Sequence, residues 1–489
     1  MRKYLSEIFH ILDNDSKKLP FIFLLILFTS LIDLIGLGLM GPYVSMVLNP
    51  DSFISISGVL ENYLNISLKQ NNILILLGLI LLSVFSVKTF FAIVINKVII
   101  RFSQNQQLRL RSSLMQSYQL LPYIEYLKRN SSEYIYNIHE LTKQYSMGVI
   151  MPLLKTFSDL IIGLAIVLFL AWHNILALAI LISILAIVLF FYDFFFKKNT
   201  NHYGVESNKE SKNMLQGIQE GVDGFKEIRI LGSETYFHNT MHVAAKKYAS
   251  YIAKLQIISI MPRYLLELSM ILFIVSLISF TLLVGDDIQS LFSTLAIFGV
   301  AALRIIPSLN SLSTSLVQLR YNRNAVSLLF QDYKKFKVGP QNSLIKKQTS
   351  QNERLNLDNV DFSHFSLKNV SFSYSDEKRK ALTEISLKIS AGESVGLMGQ
   401  SGSGKTTLID VILGLLNPQS GKIKYNNRPL NESIDLWHAQ VAYLPQEIFL
   451  IDDTLKSNIA LGIEVNDIDQ VKLDDAIKKA KLDDLVKNL

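Results

Sequence analysis

Gly399-Gln400-Ser401-Gly402-Ser403-Gly404-Lys405-Thr406 has the spacing G-x-x-x-x-G-K-[ST] of a loop that wraps phosphate groups. The apolar run Ser394 to Met398 leads into it and reads as a strand, and Thr407 to Leu416 leads out of it as a helix. That is the setting such a loop requires. Glycines let successive backbone N–H groups converge on phosphate oxygens, and the following helix turns its positive end toward them. Lys405 supplies a mobile cation for β- and γ-phosphates, the Thr406 hydroxyl suits Mg²⁺, and Thr407 continues the nucleotide-binding stretch. A plain Gly/Ser-rich turn would not bring strand, Lys-Thr pair and helix together.

Around this loop, short β-prone runs (Val370 to Tyr374, Ile385 to Ile389, Ser394 to Met398, Val441 to Leu444) alternate with helical and turn segments, the pattern of a soluble α/β domain over 355–489. Tyr374 ends the run Val-Ser-Phe-Ser-Tyr, and Gln446 stands in Ala-Tyr-Leu-Pro-Gln-Glu. Their order and spacing about the loop resemble an ABC ATP-binding domain. The resemblance implies ATP and Mg²⁺ as cofactors, Tyr374 stacking on adenine, and Gln446 touching Mg²⁺ as the catalytic-side residue that relays nucleotide state. The family's Leu-Ser-Gly-Gly-Gln signature, acidic strand and switch histidine have no counterpart between Gln446 and Leu489, whereas Leu473 to Leu489 looks like the helical subdomain preceding that signature. The expectation is a chain truncated within its ATP-binding domain, able to bind ATP and unable to hydrolyse it alone.

What precedes is of another kind. A hydrophobic fraction of 49% and mean hydropathy of +0.29 exceed those of ordinary soluble enzymes. No cysteine is present, and the 8 histidines are scattered, which excludes disulfides, thiolate chemistry and a histidine metal cluster. Apolar stretches run from Leu19 to Leu48, Ile73 to Ile100, Pro152 to Phe196, Ile257 to Val284 and Leu291 to Leu309. The third is twice a single span and breaks at Trp172-His173-Asn174, so six crossings are expected, at 19–48, 73–100, 152–171, 175–196, 257–284 and 291–309. Arg2, Lys3, Lys17 and Lys18 precede the first, while Asp51 and Glu61 with only Lys69 follow it. This charge bias places the N-terminus in the cytoplasm and accounts for the net charge of +7 without nucleic acid. The inner connections Lys97 to Met151 and Lys197 to Gln256 are long, polar and helix-patterned, with reversals expected at Pro122, Gly221 and Gly224. An all-α transmembrane domain (1–335), a polar linker (336–354) and an incomplete α/β P-loop domain result.

Leu121-Pro122-Tyr123 and Gly224-Phe225-Lys226-Glu227-Ile228-Arg229 resemble the two intracellular coupling regions of ABC exporters, which implies a half-transporter acting as a homodimer in the cytoplasmic membrane. Charges inside a membrane mark functional sites by default. Lys88 and Arg304 fall about 20 Å from the outer ends of their spans, in the inner half, and Arg263 lies at the inner headgroup level. Three cations on three helices suit an anionic headgroup; pairing with Asp33 or Glu267, and snorkelling of Arg263, are the structural alternatives. The stretches Met261 to Glu267 and Ala302 to Ser308 resemble those of bacterial lipid-linked oligosaccharide flippases. The implied substrate is a membrane lipid or lipid-linked glycan, with a peptide or drug exporter and an ATP-binding regulator as alternatives.

Overall fold

The computed structural model describes residues 2–48, 70–284, 288–335, 361–374, 380–446 and 448–488. Asp51, Glu61, Lys69, Gly285 to Asp287, Glu447 and the linker expected at 336–354 lie outside them, as does the Asp33 side chain. The chain divides into two units, Met1–Lys347 and Gln348–Leu489.

The first unit is helical: α1 (Arg2–Leu12), α2 (Leu19–Leu48), α3 (Gln70–Gln119), α4 (Met151–His173), α5 (Ile175–Asp223), α6 (Glu234–Val284), α7 (Ile288–Tyr321) and α8 (Arg323–Lys335). Among the described residues, Leu74–Gln119, Ser131–His173, Ile175–Asp223, Glu234–Leu283 and Ile297–Tyr321 are long and apolar enough to cross a membrane. α2 adds a further apolar helix of 30 residues. With 50, 49 and 51 residues, α3, α5 and α6 each extend about 75 Å at 1.5 Å per residue. A hydrocarbon core is about 30 Å thick, so each helix runs far out of it. Leu164, Leu168, Phe190 and Phe194 remain exposed along the apolar parts, as side chains facing lipid do.

The break in the long apolar stretch falls at Asn174, whose side chain accepts from the Ala177 N–H at 3.0 Å and so caps α5; the neighbouring Trp172 is 94% exposed. At the far end of α5 the reversal differs from expectation. Gly221 stays helical, α5 ends at Gly224, and a short helix Phe225–Leu231 is closed by Gly232 in the left-handed region, at φ 62°. A glycine at that cap carries no Cβ penalty.

Several prolines interrupt helical ladders, and at two of them, Pro262 and Pro152, a side chain from elsewhere in the helical unit makes good the loss. Pro262 has no N–H to give the Ile258 carbonyl, and the Tyr192 hydroxyl of α5 donates there instead, at 2.8 Å. Pro152 leaves the Gly148 carbonyl in the same position, and Asn322 Nδ2 donates to it at 3.2 Å. Both Tyr192 and Ile258 are buried, so Tyr192→Phe is expected to lower stability by about 1–3 kcal/mol, the cost of a bare buried acceptor. A thermal melt in mild detergent with an unchanged midpoint would contradict this. Among the described residues, the larger cores of this unit gather Ile8, Ile11, Tyr145 and Leu329 at the polar end and Ile166, Leu170, Phe273 and Phe298 within the apolar helices.

The second unit contains β1 (His364–Phe372), β2 (Leu382–Ser390), α9 (Lys405–Ile412), β3 (Ser420–Tyr425), β4 (Arg428–Pro429) and α10 (Gln470–Lys479). The strands form one antiparallel sheet in the order β2-β1-β3-β4. Two expected strands are corrected. Ser394 to Met398 and Val441 to Leu444 carry no strand pairing, and Met398 and Leu444 are 97% and 84% exposed. Such uninterrupted apolar runs suit strands covered on both faces, and the described residues give them no ladder partner. The helix after the loop is also shorter than Thr407 to Leu416, because Gly414 at φ 74° turns the chain away.

Candidate nucleotide and anion sites

The loop Gly399 to Thr406 follows the hairpin β1–β2, which ends at Ser390, and runs into the first residues of α9. Gly402 and Gly404 hold φ values of 77° and 91°, a region costly for residues with a Cβ. A Cβ on Gly404 would stand 2.6 Å from the Ala381 carbonyl oxygen, and one on Gly399 would stand 2.6 Å from Ser403 Oγ. Gly402 and Gly404 are therefore required by the loop's own path. Lys405 Nζ donates to the Gly399 and Gln400 carbonyls at 2.8 Å each, closing the loop around its ammonium. Ser403 N–H donates to the Gln400 carbonyl at 3.2 Å. Ser401 and Thr406 stand exposed at the mouth of the loop.

Tyr374 reaches this site through its hydroxyl, 3.1 Å from Thr407 Oγ1, with its ring edge-on to Phe372 at 5.1 Å. The far end of α9 is held by Trp437, whose Nε1 donates to the Ile412 carbonyl at 2.8 Å while its ring stacks on Phe365. Trp437 was not legible as a site residue, yet it fixes the helix that aims the loop. Burial raises the Asp410 carboxyl on the same helix above its ordinary value. The structure thus gathers Tyr374, the loop and Thr407, whereas Gln446 is exposed on the unpaired run after Val441. The residues fit ATP: a cradle that a Cβ would fill, a helix start and an adjacent ammonium.

In the first unit, Lys88 and Arg304 line the same two cavities. Both line a cavity of about 820 Å³ along α3 with Phe85, Asn96, Lys97 and Arg101, and both line a smaller one of about 310 Å³ with Asn96, Lys155, Asp159 and Ser311. Lys88 Nζ lies 4.7 Å from the Phe85 ring centroid. Arg263 joins neither cavity. It is exposed and its Nε bonds Glu267 at 3.0 Å, so Glu267 serves Arg263. Lys97, Arg101, Lys155 and Asp159 had not been singled out. Phe85, Lys88, Thr89, Ala92, Ile93, Asn96, Lys97, Ile100 and Arg101 alternate steps of three and one, the stripe of a single helix face, and that signal was available in the sequence.

The first inner turn, with the short helix Tyr123–Tyr126, is tied to α8. Arg129 grips Asp332 through two bonds of 2.9 Å, and Tyr118 and Asn137 donate to the same carboxylate at 2.6 and 2.8 Å. Lys335 bonds Glu125 at 3.0 Å, and the bonds from Lys128 and then Lys335 hold the Glu125 carboxyl below its ordinary value. The second turn instead leaves Phe225, Ile230 and Leu231 exposed.

The ABC transporter family profile matches residues 382–489. A lipid A-core flippase of Cupriavidus metallidurans is 23% identical over 352 residues, covering 71% of this chain and 56% of its own. One of Ralstonia nicotianae is 24% identical over 417 residues, covering 83% and 65%. The chain therefore spans between half and two thirds of these relatives. An uncharacterized ABC transporter ATP-binding protein, YfiB of Bacillus subtilis, is 34% identical over 131 residues, covering 27% of this chain and 22% of its own. The structure of a bacterial Atm1-family ABC exporter with ATP bound superposes with a TM-score of 0.69 at 16% identity, over 97% of this chain and 79% of that one. Residues 382–489 thus form an ABC transporter ATP-binding domain, and they follow a helical membrane domain with the fold of an ABC exporter.

Proposed function

We propose that this chain is half of an ATP-driven exporter, paired with a second copy, that moves a lipid-linked glycan from the cytoplasmic to the outer leaflet of the inner membrane by its phosphate or pyrophosphate. The observation that carries the reading is the placement of Lys88 and Arg304 on the walls of shared cavities between apolar helices. Cations in such a setting call for anions, and a phosphate accepts several donors at once. The similarity to proteins named lipid A-core flippases supports a lipid cargo.

In the second unit, the amides of Gly399 to Gly404 would hold the phosphates, Lys405 the β- and γ-phosphates, Thr406 and Gln446 a Mg²⁺ ion, and Tyr374 the adenine. ATP, when bound, supplies a phosphoanhydride whose charge the loop neutralises. The exposed apolar tip at Phe225 to Leu231 and the turn at Leu121 to Tyr123 are the parts through which the membrane helices would follow nucleotide state. Arg304→Ala is expected to lower flipping of a polyprenyl-linked glycan in reconstituted vesicles about ten- to hundredfold, the worth of one charge-assisted hydrogen bond. Arg304→Lys should recover only part, because a point charge lacks the guanidinium's bidentate fork. Recovery of flipping in Asp33→Ala with Arg304→Ala would overturn the headgroup role and make Arg304 a structural partner.

A further inference from the structure

The two cavities share Lys88, Ala92, Asn96 and Arg304, whereas Lys97 and Arg101 line the larger one alone. Every charged residue on the described wall of the larger cavity is a cation. Lys97 and Arg101 stand nine and thirteen residues beyond Lys88 on α3, or about 13.5 and 19.5 Å at 1.5 Å per residue. The wall therefore carries its charge at two levels. Lys88 and Arg304 lie among the apolar helices, while Lys97 and Arg101 stand where the apolar stretch Ile73 to Ile100 gives way to polar sequence. Both of the latter are exposed and sit one turn apart on one helix face.

Charges at these two levels do different work. An anion still in water at the mouth is more than a Debye length, about 8 Å at physiological ionic strength, from Lys88, so the deeper pair draws it little. Exposed charges at a rim set how fast a charged partner is captured and how steeply that rate falls with salt; desolvated ones set how slowly it leaves. A cleft of one sign with low-dielectric walls also concentrates counter-ions at its entrance.

We propose that Lys97 and Arg101 form a capture site for the anionic headgroup at the cytoplasmic mouth of the larger cavity, separate from the Lys88 and Arg304 pair that retains it. This rests on the headgroup reading given above. Capture needs charge and little geometry, so a lysine and an arginine serve there alike. Retention needs the directed donors of the deeper pair.

The test passes farnesyl pyrophosphate, a short soluble polyprenyl pyrophosphate, over the full chain in phosphatidylcholine nanodiscs on a sensor surface, at low and at high salt, with empty nanodiscs as reference. The native association rate is expected to fall steeply with salt. Lys97→Gln with Arg101→Gln should slow association about tenfold at low salt, flatten its salt dependence and leave the dissociation rate within about twofold. Should that double variant not fold, Arg101→Gln alone is expected to slow association about threefold. Lys97→Arg with Arg101→Lys should associate like the native chain, which a merely structural role for these side chains would not give. Arg304→Ala is expected instead to raise the dissociation rate about ten- to hundredfold. An association rate unmoved by the glutamine changes, or a loss that appears in the dissociation rate, overturns the capture site alone. Both rates left intact by Arg304→Ala overturn the headgroup reading, and this proposal with it.

Discussion

Asp332→Ala is expected to destabilise the helical unit by about 3–5 kcal/mol, the usual consequence of removing one partner from a buried ion pair. Asp332 is 5% exposed and its two oxygens accept four bonds: two from Arg129 and one each from Tyr118 and Asn137. Alanine would take from a half-buried guanidinium the carboxylate that grips it through two bonds, leaving it Glu133 at 3.9 Å, and would remove the charged acceptor that Tyr118 and Asn137 share. Asp332→Asn keeps the volume and one acceptor and should fall between native and alanine. Thermal melts in mild detergent order the three proteins; an alanine variant within about 1 kcal/mol of native would mean that the pair is effectively solvated.

Lys405→Ala is expected to weaken Mg-ATP binding by about 1.5–3 kcal/mol, or roughly ten- to hundredfold. Two effects combine. The ammonium that would meet the β- and γ-phosphates is lost, and so are its 2.8 Å bonds to the Gly399 and Gln400 carbonyls, which set the loop's curvature. Titration with a fluorescent ATP analogue measures the change. Lys405→Arg should retain the charge yet bind poorly, because the wider guanidinium does not fit a loop closed around an ammonium. An unaltered affinity in the alanine variant would exclude the loop as the phosphate site.

The phosphate loop was legible in the sequence because its chemistry is local: eight consecutive residues hold the glycines, the lysine and the threonine. The long helices were legible from apolar length, and β1 and β2 from their β-prone runs. Strand formation at Ser394 to Met398 and Val441 to Leu444 was not, since a ladder depends on neighbours that composition does not reveal. Arg263 was grouped with Lys88 and Arg304 as a third cation toward the inner side. Its spacing of four residues to Glu267 favours a local pair, which is what the structure contains. Lys155 escaped notice at the edge of its span, and Arg129 with Asp332 could not be matched across 203 residues.

The proline repairs make the helices interdependent. A hydrogen bond within a helix moves with that helix, but the bond from Tyr192 to the Ile258 carbonyl belongs to α5 and α6 at once. Sliding one past the other by a few tenths of a nanometre would bare a buried carbonyl, at about 1–3 kcal/mol, so the pair is geared at that point. The Asn322 bond to the Gly148 carbonyl pins the start of α4 to the junction of α7 and α8 in the same way. Motions that keep both bonds must carry α5 with α6, and α4 with the end of α7, as coupled beams. Among the helices that line the cavities, α3 takes part in neither repair and is held instead by Ser146 Oγ, which donates to its Ser103 carbonyl at 2.9 Å.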